Sequence, residues 1–306
     1  MENITIRAVP FRMEEKVINE SGFNYAWSLE RATSLLGLGY SFYVEFIELF
    51  YTGVRSAALK LLTDPAVMRA EKDYYTQEMH HANQHRKLNK VLHKGVVFKE
   101  RYHPRVYDFL YPIYKDKYEP MLEGARNDLG FSGKDNVFLK QALLDVAVFE
   151  SKTCVSSFVF FEQLFDNGIL NYTIRNSQNL GILYLLGYHF IEEIEHCSIA
   201  VDLYQSIYDE IVWSPEELAN TRDLDDVEAI ISTYSIAKQI GEDISRADIE
   251  ASAFYSGIMA NRRELIQEGF HPNDADVKKR RAYLIEKWDK EWEPQLLRAI
   301  NQQSAN

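Results

Sequence analysis

The sequence predicts an all-α protein: a bundle of four long helices with additional helices on its flank. Three observations carry this prediction. Apolar residues recur at three- and four-residue steps through most of the 306 residues. Helix start and stop signals bracket the longest periodic segments. Period-two alternation is confined to the short stretch ITIRAVPF at 4–11, which reads as a strand.

The first long helix is expected over 41–62 (SFYVEFIELFYTGVRSAALKLL), where apolar residues keep helical spacing. The second, 63–95, opens with Asp64 as a cap, places Pro65 in the first turn and meets Gly95 beyond its end. Residues 103–130 read as one broken helix or two shorter ones, because Pro112 and Pro120 each remove a backbone donor. The third long helix, 135–168, has Asp135 or Asn136 as its cap and Gly168 at its end, and 176–211 is the fourth. After Ser214 the helices become more charged and less apolar, which marks a flanking layer. The chain is thus expected to be a single domain over 1–306, with its core about 35–212 and flanking helices about 213–306. Within that layer the amphipathic segment 280–300 is expected to cap the bundle, a dimer contact being the alternative.

Composition excludes several classes. A 46% hydrophobic content allows a large buried interior. The net charge of -12, with no basic block to offset it, argues against nucleic acid as a partner. Cys154 and Cys197 form no CxxC pair, so neither a disulfide framework nor a sulfur-rich zinc site is expected. The N-terminus lacks a basic end followed by an apolar core, and no run of ~18 uncharged residues, the length of a membrane span, occurs. A cytoplasmic protein without membrane contact is the expectation, and apolar faces on the extra helices favour a homodimer.

The chemistry lies in two stretches, QEMHHANQH (77–85) and YHFIEEIEH (188–196). At about 100° per residue, His189, Glu193 and His196 share one helix face, Glu192 lies at its edge and Glu195 points elsewhere. In the earlier stretch Glu78 and His81 share a face, His85 continues the stripe by one turn and His80 points away. Two helices therefore each carry Glu-x-x-His among residues patterned as core. Unpaired carboxylates in a bundle interior cost several kcal/mol each, roughly, so a cation is implied. Bundles that bind two metals in this way draw one further glutamate from each remaining helix. Glu150 fits on the third; on the first, Glu45 and Glu48 lie on the same side and spacing does not choose between them.

Glu48, Glu78, Glu150 and Glu193 would balance two divalent cations, with His81, His189 and His196 as neutral donors. Oxygen and imidazole donors without thiolate suit two iron ions, with manganese or zinc also compatible. His85 is either a group that supports a ligand or a solvated helix end. Glu192 and Glu45 are expected to support ligands or to be partly exposed. Tyr43, Phe46, Tyr74, Phe149 and Tyr188 are candidates to line an apolar cavity, and Gly187 is expected to let a neighbouring backbone approach.

The paired motifs resemble a bacterial family described as predicted metal-dependent hydrolases, with QE-x-x-H-x-x-x-H and H-x-x-EE-x-EH, over roughly residues 40–205. In that family an early glutamate precedes aromatic residues and a basic one. ELFYTGVR matches through Glu48, Phe50, Tyr51 and Arg55, which places Glu48 ahead of Glu45; ESKT at Glu150 matches its E-x-x-T. The set His189, Glu193 and His196 also resembles the ligand pattern of p-aminobenzoate N-oxygenase type di-iron enzymes, which have a ferritin-like fold, three histidines and four glutamates. This second resemblance implies a di-iron oxygenase or oxidase acting on a small organic substrate, with dioxygen and an electron donor as partners. His189, one turn before Glu193 and among apolar neighbours, is expected to reach the metal held by His196. The alternatives are a dinuclear hydrolase that uses metal-activated water and, less favoured on chain length, ferritin-like iron storage.

Overall fold

A computed structural model describes residues 4–19, 22–93, 106–127, 133–210, 224–268 and 270–303. Residues 4–11 form no strand. Their backbone groups bond to side chains of the bundle instead, Arg7 N–H to Glu192 and the Thr5 carbonyl to Gln77. Helix α1 (Met13–Val17) then leads into a minimal antiparallel pairing of β1 (Ile18–Asn19) with β2 (Gly22–Phe23).

Helix α2 (Arg31–Ala58) begins ten residues before the expected position. Leu35, Leu36 and Leu38 are buried along these added turns, nearly three in all. Gly39 lets a later helix approach closely, since a Cβ there would lie 2.6 Å from the Thr233 backbone nitrogen. Helix α3 (Pro65–His93) starts as the sequence implies, with Asp64 accepting from Ala66 N–H at 2.7 Å. Gly95, expected beyond its end, lies outside the described residues.

The proline-containing segment is continuous in the described part: α4 (Val106–Ile113), a π-helical stretch at Tyr114–Tyr118 and α5 (Glu119–Arg126) follow without a break. The Glu119 N–H reaches back five residues to the Tyr114 carbonyl, and this wider turn lies between Pro112 and Pro120. Helix α6 (Val137–Leu164) is capped by Asn136, which accepts from Leu139 N–H at 3.0 Å. It ends before Gly168; that glycine, at φ 79°, turns the chain into α7 (Leu170–Asn176). Asn179 caps α8 (Leu180–Tyr208), which ends at Asp209 in the left-handed region.

The flanking layer comprises α9 (Leu224–Gln239), α10 (Arg246–Glu250), α11 (Ala253–Glu268), α12 (Ala275–Lys287), a π-helical stretch Trp288–Trp292 and α13 (Glu293–Gln303). The boundary expected near Ser214 is outside the described residues. Helix α9 packs on α2, α11 on α6, and α12 and α13 on α8. The segment 280–300 therefore caps the bundle. Its anchor is Trp288, fully buried against Phe161, Phe165 and Tyr184. Gly187 makes room for this indole and not for a backbone, since a Cβ there would meet the ring at 2.8 Å. Trp288→Ala should cost about 3–5 kcal/mol of stability, measured by denaturant unfolding, because the indole leaves a cavity between rigid helices.

Among the described residues no helix is long and apolar enough to cross a membrane. The interior is divided by a polar layer. On α6, Leu139 to Phe149 belong to one apolar cluster and Cys154 to Leu164 to another; on α8 the same division falls between Cys197 and Ala200. Glu150 lies at this break and Glu193 and His196 just before it, which sets charged groups where the two apolar clusters meet.

Candidate metal centre

Four helices converge on the polar layer. Helix α2 supplies Glu48, α3 supplies Glu78 and His81, α6 supplies Glu150, and α8 supplies His189, Glu193 and His196. All seven are at most 2% exposed, so none can satisfy its polar atoms with bulk water. Donor atoms of Glu48, His81, His189 and Glu193 lie within 4.8 Å of one another, as do those of Glu78, Glu193 and His196. Glu193 belongs to both groups. Glu150 Oε2 joins the second, 3.2 Å from His196 Nε2.

The spacing is that of ligands around an ion. His196 Nε2 lies 3.1 Å from Glu78 and 3.4 Å from Glu193; His81 Nδ1 lies 3.5 Å from Glu48 and Glu193 and 3.6 Å from Glu78. Two donors each ~2.1 Å from one cation, at right-angled to tetrahedral geometry, sit ~3.0–3.4 Å apart. Both oxygens of Glu48 and Glu78, Glu150 Oε2, Glu193 Oε2, His81 Nδ1, His189 Nδ1 and His196 Nε2 have no hydrogen-bond partner. Such a concentration of unsatisfied buried acceptors is destabilising by itself and suits divalent cations well.

The outward hydrogen bonds orient the imidazoles. Glu192 Oε2 contacts His81 Nε2 at 2.8 Å; as a carboxylate it accepts, which places the proton on Nε2 and the lone pair of Nδ1 toward Glu48, Glu78 and Glu193. Gln77 Oε1, 2.9 Å from His196 Nδ1, likewise accepts and leaves Nε2 facing Glu78, Glu150 and Glu193. Tyr40 OH lies 3.3 Å from His189 Nε2, and Tyr74 OH donates to Glu150 Oε1 at 2.9 Å.

Electrostatics match this geometry. Burial raises the pKa of Glu48, Glu78 and Glu193, and neighbouring carboxylates add to the effect. Burial opposes charge on His81 and His196, but the surrounding carboxylates outweigh it and raise both. Without a metal, these groups share protons in place of cations. His189 is lowered by burial and by the other imidazoles.

The remaining expectations divide. Glu45 is committed elsewhere, accepting from Arg86 at 2.9 Å, Asn89 at 3.0 Å and Tyr107 at 2.6 Å. The structure thus places Glu48, not Glu45, in the cluster. Glu45→Ala should leave metal stoichiometry unchanged while costing about 1–3 kcal/mol, because it orphans partly buried donors; elemental analysis and denaturant unfolding check both halves. His85 is fully buried, so it is not a solvated helix end. Ser41 Oγ gives its proton to Asn89 Oδ1, so His85 Nδ1 donates to Ser41, at 2.9 Å. Burial, followed by the charge of His81, pushes the His85 pKa down to about 3.

One reading of α8 needs correction. His189 sits with Glu48 and His81, not with His196: seven residues of helix separate the two histidines by ~10 Å along the axis, with Glu193 between them. Glu195 does point away from the cluster, yet it is buried, paired with Arg7 at 2.7 Å and receiving a hydrogen bond from Gln77 at 3.0 Å. Gln77, Tyr40 and Arg7 were not singled out from the sequence. Gln77 had the only local signal, being adjacent to Glu78 in the motif. Arg55 stands outside the cluster, paired with Glu71 and 4.1 Å above the Tyr75 ring.

An apolar cavity of about 70 Å³ lies beside the centre, lined chiefly by Trp27, Leu36, Tyr40, Tyr43, Phe149 and Phe254, with Thr153, Ser156 and Arg262 as polar groups. Tyr40 forms a wall shared with His189. Of the aromatics expected to line such a space, Tyr43 and Phe149 do so. Tyr74 and Tyr188 pack on His196 and His81, and Phe46 faces a shallow cleft with Tyr107 and Tyr111.

Fold and site define an all-α protein with a buried carboxylate–histidine cluster able to hold metal. The chain belongs to the family described as predicted metal-dependent hydrolase, which matches residues 25–276. No curated protein and no solved structure matches it.

Proposed function

We propose that this protein is a hydrolase dependent on two divalent metal ions bound by Glu48, Glu78, His81, Glu150, His189, Glu193 and His196. The observation that carries the reading is the convergence of unsatisfied, fully buried carboxylate and imidazole atoms into two groups joined by Glu193. Family membership supports hydrolysis as the reaction. Bound there, divalent ions supply Lewis acidity to a carbonyl or phosphoryl oxygen and lower the pKa of water.

The chain's own residues prepare that chemistry. Glu192 and Gln77 hold His81 and His196 in the tautomers that face inward. Tyr40 separates the cluster from the apolar cavity, and its hydroxyl is placed to hydrogen-bond a substrate oxygen or His189. The cavity's aromatic walls suit a small apolar group of the substrate. Iron, manganese and zinc all suit these donors.

One observation favours a second reading. His189 lies with Glu48 and His81, completing three histidines and four glutamates, the inventory of N-oxygenase type di-iron enzymes. The two readings separate under anaerobic conditions. A panel of aryl esters, amides and phosphoesters should be turned over by the zinc-, manganese- or iron-loaded protein without dioxygen, and chelation should stop it. Dioxygen uptake with a transient visible band in the ferrous protein, and no anaerobic turnover, would replace hydrolysis with oxygenation.

A further inference from the structure

The segment at residues 4–9 lies across the outer face of α3 and α8, at the backs of two candidate metal ligands. Arg7 N–H donates to Glu192 Oε1 at 3.2 Å, while Glu192 Oε2 accepts from His81 at 2.8 Å. The Arg7 guanidinium pairs with Glu195 Oε1 at 2.7 Å, and Thr5 N–H approaches Glu195 Oε2 at 3.4 Å. Gln77 Nε2 divides its donors between Glu195 Oε2 at 3.0 Å and the Thr5 carbonyl at 3.1 Å, and this fixes Gln77 Oε1 toward His196 Nδ1 at 2.9 Å. Arg7 also reaches Asp289 of the capping segment, at 3.0 Å.

These bonds leave the amide of Gln77 one orientation. Turned over, it would aim its oxygen at Glu195 and the Thr5 carbonyl, two mismatches at once, and its NH₂ would move the His196 proton onto the Nε2 that faces the cluster. Glu192 is held in the same way, one oxygen by the strap and one by His81. Arg7, Glu192, Gln77 and Glu195 are all at most 8% exposed, so water cannot substitute readily for a lost partner.

We propose that this N-terminal strap is part of the metal centre, and that Arg7 is a positioning residue which sets His196 through Glu195 and Gln77 while the strap backbone sets His81 through Glu192. The proposal rests on the metal reading above. It implies a reciprocal effect: a strap that favours metal binding must itself be held more firmly when metal is bound.

The test uses the full chain with zinc or cobalt(II). Affinity is measured by competition with a chromogenic chelator, the ligand field by the visible spectrum of the cobalt form, and the strap by amide hydrogen exchange of residues 4–9. Arg7→Ala should weaken metal binding by roughly 10–100-fold, the range for loss of groups that orient metal-bound histidines. It should also alter the cobalt spectrum, and Arg7→Lys should restore part of both. In the unsubstituted protein, metal should slow exchange of the Arg7 amide, which is bonded to Glu192. If Arg7→Ala fails to fold, the pair Arg7→Met with Glu195→Gln, which leaves no buried charge unpaired, takes its place with the same expectation. Unchanged affinity and spectrum in the folded variant, or strap exchange indifferent to bound metal, would overturn the proposal while leaving the metal centre standing. Failure of the unsubstituted protein to bind either ion would instead overturn the metal centre, and the proposal with it.

Discussion

Glu193→Ala is expected to reduce bound metal from two ions toward one or none, a larger effect than any other single substitution in the cluster. Its carboxylate is the only one of the set that belongs to both donor groups: Oε1 lies 3.5 Å from His81 and 3.3 Å from His189, and Oε2 lies 3.4 Å from His196. Its removal would take a donor from both groups and uncover the repulsion between the ions they would hold, which falls as 1/r and is little screened in a dry interior. Glu78→Ala should also lower stoichiometry, with its main effect on the group containing His196, 3.1 Å away. Elemental analysis of gel-filtered protein after saturation with ferrous, manganous or zinc ion provides the measurement. Full occupancy in both variants would remove these carboxylates as ligands.

The second large effect is on stability and its pH dependence. Glu48, Glu78 and Glu193 have raised pKa values from burial, and His81 and His196 are raised by their carboxylate neighbours against burial. Above the ordinary histidine value of 6.5, the metal-free folded protein therefore retains protons that the unfolded chain has released. Stability falls with rising pH wherever the folded state binds more protons. Metal-free protein should accordingly lose melting temperature from about pH 6.5 upward, as these raised groups titrate. His85 and His189, lowered by burial, act below that value in the opposite sense and do not disturb this window. In metal-loaded protein the cations replace the protons, so the alkaline loss should be absent and the melting temperature higher throughout. A metal-free protein with flat melting from pH 6.5 to about pH 9, equal to the loaded form, would contradict the account.

Much of the centre was legible because helical geometry is local. Glu78 with His81, and Glu193 with His196, each lie three residues apart, and a rotation of about 100° per residue brings each pair to one face whatever surrounds it. Glu45 and Glu48 are also three apart, so periodicity could not separate them. The choice is made across space, by Arg86 and Asn89 of α3 and by Tyr107 of α4, which engage Glu45. His189 lies in the buried cluster, but beside Glu48 and His81 and not beside His196 as the sequence reading expects. Its partners Glu48 and His81 come from other helices, although the ~1.5 Å rise per residue already argued against its sharing an ion with His196.

The N-terminal strap was illegible for a different reason. Its alternation suggested a strand, but its backbone bonds end on Glu192, Glu195 and Gln77, whose availability follows from the packing of α3 on α8. Helix α2 ran further toward the N-terminus than expected, where Leu35, Leu36 and Leu38 are buried. Residues 106–126 likewise stay helical through Pro112 and Pro120, with a π-helical stretch at Tyr114–Tyr118 between them. In each case tertiary burial outweighs the local signal.

The central claim is that the layer dividing the two apolar clusters holds two metal ions. Anomalous diffraction from crystals of metal-saturated protein, recorded above and below the absorption edge of the added ion, tests it most directly. Two anomalous peaks are expected, one within ~2.0–2.3 Å of Glu48, His81 and His189 and the other equally close to Glu78, Glu150 and His196, with Glu193 touching both. Saturated crystals with no anomalous peak among these seven residues would contradict it.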